Sequence, residues 1–177
     1  MDDRINDASG NMPEALRNEG DWRRFQAELD RAQLVVLGRL GHEAHSNPRE
    51  RRRVVVSSSA MSLEQRDGTW WWNPAGLAWG AVAAALLPSG GRVAVPGGRG
   101  VFDLFLSIGF DEFHLTRATG ARLGAGHFVF SACAGGASAE SLLTSAGLAP
   151  SPVELIDAAA GVTSTVWRRT SGALTEK

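Results

Sequence analysis

Val95-Pro96-Gly97-Gly98-Arg99-Gly100-Val101-Phe102 joins a short apolar run, Arg92–Val95, to a segment that places Val101, Leu104, Phe105 and Ile108 on one helical face. The pattern predicts a strand, a tight turn and a helix over Val101–Ile108. Glycine lets main-chain N–H groups approach an anion without a Cβ in the way. The helix start adds its dipole and free donors, and Arg99 adds a charge. Such a turn suits the phosphates of a nucleotide. It is neither the dinucleotide GxGxxG fingerprint nor a Walker loop, since no GK[ST] follows. A strand–helix turn without a ligand needs glycine too.

Two further strand ends share this design. Leu34-Val35-Val36-Leu37 is a continuous apolar run stopped by Gly38 and followed by Arg39-Leu40-Gly41. Val54-Val55-Val56 runs into Ser57-Ser58-Ser59. Short β-branched runs of this kind read as strands buried on both faces. In open α/β sheets, ligands bind at the carboxyl ends of such strands.

The rest of the chain alternates in the same way. Met1–Gly20 reads as loop with a helical turn at Pro13–Arg17. Asp21 reads as the N-cap of an amphipathic helix, Trp22–Arg31. Arg39–Arg53 is a basic connection. Asn73-Pro74 signals a helix start that continues through Leu77–Leu87 and stops at Pro88-Ser89-Gly90-Gly91. Glu112–Thr116 and His127–Phe130 read as strands, and Ser138–Ala146 as a helix closed by Gly147. Val153–Ile156 and Val162–Trp167 form a hairpin through Ala158–Gly161. Strands alternating with helices imply a three-layer α/β fold. Its mainly parallel central sheet is flanked by helices and ends in an antiparallel C-terminal hairpin.

The chain has 177 residues, 44% of them hydrophobic, which suits one domain spanning residues 1–177. A net charge of −1 gives no general pull toward nucleic acid or a membrane surface. One cysteine, Cys133, permits neither an internal disulfide nor a zinc framework and reads as a packed residue. The start is not a signal peptide. The most apolar stretch, Leu77–Leu87, falls far short of the roughly 20 residues that span a bilayer. A soluble, cytoplasmic protein is expected.

In this order and spacing the segments resemble the dihydrofolate reductase superfamily. The likeness rests on Asp21-x-x-x-Phe25, Val36-Leu37-Gly38-Arg39 and Arg53-Val54-Val55-Val56-Ser57-Ser58. It continues through Val95-Pro96-Gly97-Gly98-x-x-Val101-Phe102 and Asp111-Glu112-Phe113-His114-Leu115-Thr116. The chain also looks like the reductase half of the riboflavin-pathway deaminase-reductase. The resemblance implies NADPH as hydride donor. It implies a pyrophosphate contact at Gly97-Gly98, through a peptide that is often cis in the family. It further implies contacts with the phosphates, commonly the 2′-phosphate, at the Gly38-Arg39 turn with Leu40, and the adenosine end beside Ser57 or Ser58. Pro96, Arg99, Gly100, Val101 and Phe102 complete the implied cofactor wall. Asp21 stands where dihydrofolate reductases carry a carboxylate against the pterin, so it reads as a catalytic residue or as a plain helix cap. Two features depart from the family. Only Met1-Asp2-Asp3-Arg4-Ile5 stands for the tail of the family's first strand, which reads as truncated: either the chain start is missing or this member does without that strand. Leu40-Gly41 replaces a common lysine and threonine.

The expected activity is NADPH-dependent hydride transfer to a pterin, a ribosylamino-pyrimidine or a related heterocycle, as in riboflavin or folate metabolism. The alternative is a non-catalytic nucleotide-binding or interaction protein that keeps the cradle. His42-Glu43-Ala44-His45 is one residue short of HExxH, so no metal site is expected. Arg49, Arg51, Arg52 and Arg53 read as a solvated turn or as help for a 2′-phosphate. Trp70-Trp71-Trp72 cannot all face one core, which suggests a homodimer contact. Trp167 reads as packing.

Overall fold

Leu34, Val35, Val36 and Leu37 are all buried, as a strand covered on both faces requires. In the computed structural model, which describes residues 2–170, this run is the middle of a parallel sheet. The helices and strands are α1 (Glu19–Arg31), β1 (Leu34–Gly38), α2 (Arg39–Ala44), β2 (Arg53–Val56), β3 (Leu63–Arg66), β4 (Thr69–Trp72), α3 (Trp79–Leu86) and β5 (Val93–Ala94). They continue as α4 (Arg99–Ile108), β6 (Glu112–Ala118), α5 (Ala139–Ser145), β7 (Leu148–Pro150), β8 (Glu154–Asp157) and β9 (Val162–Arg169). Short 3-10 turns occupy Glu14–Leu16 and Ser131–Gly135. The chain packs as two compact units. One comprises Arg24–Phe102, the other Met1–Arg23 with Asp103–Lys177.

In the Arg24–Phe102 unit the strand order is β3-β4-β2-β1-β5. β4, β2, β1 and β5 are parallel, and β3 is antiparallel to β4. Register explains the burial. Val35 pairs with Ala94, Leu37 with Val55 and Val55 with Trp71. Side chains of paired residues share a face, and these five pack with Phe25 and Leu29 of α1 into one cluster. Val36, Val54 and Trp72 fall on the opposite face, where the Trp72 ring lies 5.3 Å from that of Trp79 on α3.

The tryptophan triplet therefore serves both faces of a strand. Trp72 is fully buried and donates its Nε1 hydrogen to Leu77 O at 2.8 Å. Trp71 packs on the α1 face and meets His42 edge-on at 5.8 Å. Trp70 is half-buried.

The other unit is built on the long strand β9. It pairs antiparallel with β6 on one side and with β7 and β8 in succession on the other. Phe105, Phe110, Phe113 and Phe130 form a chain of ring contacts 5.3 to 6.4 Å apart. Leu115, Leu143, Val162 and Trp167 are buried in the same unit. The C-terminal hairpin is β8–β9, as the alternation predicts.

Several local expectations are corrected. Asp21 is not the cap of α1. The helix begins two residues earlier at Glu19, and Asn18 Oδ1 accepts the Asp21 N–H at 3.1 Å, the bond a cap makes to the third helical residue. Asn73-Pro74 opens a turn closed by Asn73 O, and α3 begins only at Trp79. The connection after Gly38 starts as helix α2. His127–Phe130 contributes a single bridge, Phe128 to Arg4, flanked by the Ile5 N–H to His127 O at 2.9 Å and the Val129 N–H to Asp3 O at 2.8 Å. No cis peptide occurs among the described residues, Gly97-Gly98 included.

Candidate functional site

The carboxyl ends of β1, β2 and β5 lie along one edge of the parallel sheet, with Gly38 level with Val56 and Ala94 one strand over, level with Val35. Beyond β5 the chain turns through Gly97 (φ 147°) and Gly98 (φ 90°), both in the region that favours glycine. Gly98 O accepts the N–H groups of Val101 and Phe102 at 2.9 and 3.0 Å, which starts α4. The N–H groups of Gly97, Gly98, Arg99 and Gly100 take no acceptor among the described residues. These are the orphan donors of a helix start. Gly98 and Gly100 are exposed, and a Cβ on Gly100 would enter open space. Arg99 is exposed and its side chain has no partner among the described residues.

Gly38 closes the wall on the β1 side. A Cβ there would come within 3.3 Å of Val101 Cγ2, so its absence lets the strand end approach α4. Arg39 follows, half exposed, and its Nη1 donates to both oxygens of Glu43 at 2.9 Å. Leu40 is exposed. The structure thus brings Gly38, Arg39, Leu40 and Pro96–Phe102 to neighbouring strand ends.

Ser57 and Ser58 follow β2. The Ser57 N–H is held by Trp72 O at 2.9 Å, its hydroxyl lies 2.9 Å from that of Ser59, and Ser58 is exposed. Arg66 reaches this turn, donating to Ser59 Oγ at 3.1 Å and Ser59 O at 2.8 Å. Sequence reading missed Arg66. The signal was Asp67-Gly68, a pair that favours two-residue hairpin turns.

The basic run is consumed internally. Arg51 binds Asp30 and Gln26, Arg49 binds Asp30, and Arg52 donates to Leu86 O. Arg53 donates to the carbonyls of His45 and Ser46.

Asp21 belongs to the other unit. Thr116 Oγ1, on β6, donates to Asp21 Oδ1 at 2.7 Å and lies 3.4 Å from the hydroxyl of Ser164, its register partner on β9. Ser164 is buried. Asp21 Oδ2 takes no donor among the described residues, so one oxygen is positioned and the other is open. Thr116 carries no catalytic signature in sequence. Only its pairing with an acid 95 residues away marks it.

Beside this pair, Arg117 is held between Asp3 and Glu140, with Glu140 Oε1 2.5 Å from its Nη2. Burial pushes the Arg117 pKa down, but hydrogen bonds and charge from both carboxylates outweigh it, and the net shift is upward. Burial pushes the Cys133 thiol up, so it stays protonated and inert. No helix among the described residues is long and apolar enough to cross a membrane.

Comparison with known proteins places this fold. No protein-family model matches the chain, and no curated protein matches its sequence. Solved structures do match. A protein assigned to riboflavin biosynthesis from Shewanella sp. PV-4 superposes with a TM-score of 0.62 at 20% identity, over 96% of this chain and 94% of that one. Dihydrofolate reductase from Enterococcus faecalis, complexed with NADP(H), matches at 0.59 and 14% identity over 94% of each chain. A diaminohydroxyphosphoribosylaminopyrimidine deaminase/5-amino-6-(5-phosphoribosylamino)uracil reductase from Thermotoga maritima matches at 0.59 and 18% identity. There the chain is covered over 96% of its length and spans 54% of the relative. The fold is that of the dihydrofolate reductase-like proteins, as the order of sequence segments implied.

Proposed function

We propose that the chain is an NADPH-dependent reductase acting on a pterin, a ribosylamino-pyrimidine or a related small heterocycle. The observation that carries this reading is the run of four free N–H groups at Gly97–Gly100, set at the carboxyl edge of a parallel sheet. Free donors at a helix start, with an open surface where a Cβ would stand, fit a pyrophosphate. Gly38 and Arg39 stand one strand away and fit the same phosphates.

When bound, NADPH supplies the hydride, and the protein's part is to hold and orient. Asp21 is proposed to act on the substrate. Thr116 fixes one carboxylate oxygen, and the open oxygen can accept a substrate N–H or hold a proton near the atom being reduced. The paired carboxylates at Asp3 and Glu140 are committed to Arg117 and stay structural. Cytoplasmic residence and a homodimer belong to the same proposal. Because Trp71 and Trp72 are engaged internally, Trp70 is the indole left for a second copy.

The test is a fluorescence titration with NADPH, followed by NADPH oxidation with dihydrofolate and with a ribosylamino-pyrimidine. Binding with turnover supports the reductase. Binding without turnover on either class supports a nucleotide-binding protein that keeps the cradle.

A further inference from the structure

We propose that Ser164 is a positioning residue for the reaction. It fixes the Thr116 hydroxyl as a donor to Asp21 Oδ1, so that the proton Asp21 gives the substrate is carried on Oδ2. This rests on the reductase reading and names the side chain that decides which carboxylate oxygen reacts.

Position 164 is one where a strand would ordinarily carry an apolar side chain. Val162 and Val166 stand on the same face of β9, two residues to either side. Serine is mostly an exposed residue. Ser164 is nevertheless only 4% exposed, and no other polar residue is so buried among the described residues. The pairing of β6 with β9 sets it directly opposite Thr116, and the two hydroxyl oxygens lie 3.4 Å apart. Ser164 Oγ takes no other partner among the described residues. Glu154, its register partner on β8, is exposed and makes no bond to it.

The protons of this chain run one way. Thr116 Oγ1 is within reach of Asp21 Oδ1 at 2.7 Å and of Ser164 Oγ at 3.4 Å, but it has one proton to give. The nearer oxygen, on the ionised group, takes it. Ser164 is then the donor at the longer contact. A hydroxyl shut off from solvent needs a protein partner, so the Ser164 proton stays on Thr116 and fills the position to which the Thr116 proton would otherwise turn. At 3.4 Å this bond is long and adds little strength. Its weight lies in direction, and a hydroxyl that accepts a bond donates a stronger one. Oδ1 is thereby kept an acceptor, and the proton of the acid form falls to Oδ2, which takes no donor among the described residues. In the reaction the Oδ2–H bond breaks and the proton joins the substrate atom that receives the electron pair of the reduced double bond. Asp21 is left ionised until solvent returns a proton.

The experiment compares Ser164→Ala, Ser164→Thr, Thr116→Val and the Ser164→Ala, Thr116→Val double variant. It measures kinetics with dihydrofolate and with a ribosylamino-pyrimidine, NADPH affinity by fluorescence, and the carboxyl carbon signals of the cofactor-free protein by nuclear magnetic resonance. The Asp21 signal is the one missing from Asp21→Asn. Ser164→Ala is expected to lower kcat roughly three-fold, to leave KM and the NADPH dissociation constant within about two-fold, and to shift the Asp21 signal. Ser164→Thr, which keeps the hydroxyl, restores both kcat and the signal. In the Thr116→Val background Ser164→Ala changes neither, because its effect passes through Thr116. Additive losses in the double variant, or a Ser164→Ala variant that loses stability or KM with kcat intact, overturn the assignment. If Ser164→Ala fails to fold, Ser164→Cys, which keeps the volume and is only a weak donor, decides by the same comparison. Turnover with an unmoved Asp21 signal overturns this assignment and leaves the reductase standing. Absence of turnover with both substrates overturns the reductase reading and this assignment with it.

Discussion

Thr116 Oγ1 donates to Asp21 Oδ1 at 2.7 Å, joining a strand hydroxyl to a carboxylate in the first turn of a helix. A threonine that orients an acid while leaving its second oxygen open gives the acid a direction. Asp21→Asn is expected to keep NADPH affinity and to lower the rate of substrate reduction by about 100-fold or more. Thr116→Val keeps the shape and removes the bond, with an expected loss of about ten-fold in kcat/KM. Steady-state kinetics beside an NADPH titration separate the two steps. Loss of cofactor affinity in Asp21→Asn would remove Asp21 from the substrate side.

The cradle can be probed without breaking the fold. Gly100 lies in the first turn of α4 with open space around its missing Cβ. Gly100→Ala should therefore fold, with stability raised by up to about 1 kcal/mol, while the new methyl obstructs an anion. Gly98→Ala places a side chain at φ 90° and should cost about 1 to 2 kcal/mol. Thermal melts with NADPH titrations check both. A Gly100→Ala variant that binds NADPH normally would move the pyrophosphate away from this turn.

Acid should loosen the unit that holds Asp2, Asp3 and Glu140. Burial pushes the Asp2 pKa up, but N–H groups of Leu123 and Gly124 prevail, and it sits below 3.8. Burial likewise raises Glu140, and its own N–H with Arg117 brings it below 4.5. Both pKa values are lower folded than unfolded. Their stabilisation is complete above the unfolded values and is lost as pH falls through the folded ones. The Tm should hold steady near neutrality and fall below about pH 4.5. Arg117→Gln leaves Asp3 and Glu140 without their cation and should cost about 3 kcal/mol near neutral pH, and it makes the part of the acid slope that Glu140 contributes shallower. An unchanged acid slope would assign the titration to other carboxylates.

Asn18 rather than Asp21 caps α1, and its Nδ2 also donates to Asp157 Oδ2 at 2.8 Å. Asn18→Ala should cost about 1 to 2 kcal/mol by the loss of the cap alone. Asp21→Asn should leave stability nearly unchanged. Urea melts of the two variants compare them, and an equal loss in both would return Asp21 to a structural role.

Much of this was legible before any coordinates. The runs at Leu34 and Val54 show parallel strands because a strand buried on both faces is apolar without interruption, and the Arg92 run holds the short, half-buried edge strand β5. The Pro96–Phe102 turn shows through its glycines. Asp21 was found for its place in the chain, but its cap role was misread, because Asn18 and Asp21 are both good cap residues and only the hydrogen bond separates them. The Leu63–Trp72 hairpin was hidden by composition. Leu63-Glu64-Gln65-Arg66 has no strand alternation, and three indoles in a row suggest neither period. Thr116 and Arg66 gain their roles from neighbours distant in sequence or across a turn, which local pattern does not carry.

The hairpin turn at Asp67-Gly68 also limits how this chain can change over generations. Side chains alternate along β4, so adding or deleting one residue between Arg66 and Thr69 would exchange the faces of Trp71 and Trp72 against β2 or shift Arg66 to the other side of its strand. Asp67 can give way to Asn or Gly, which also adopt its positive φ, but changes of length are not tolerable. Insertions and deletions should therefore be absent from this turn in functional descendants even where its letters vary.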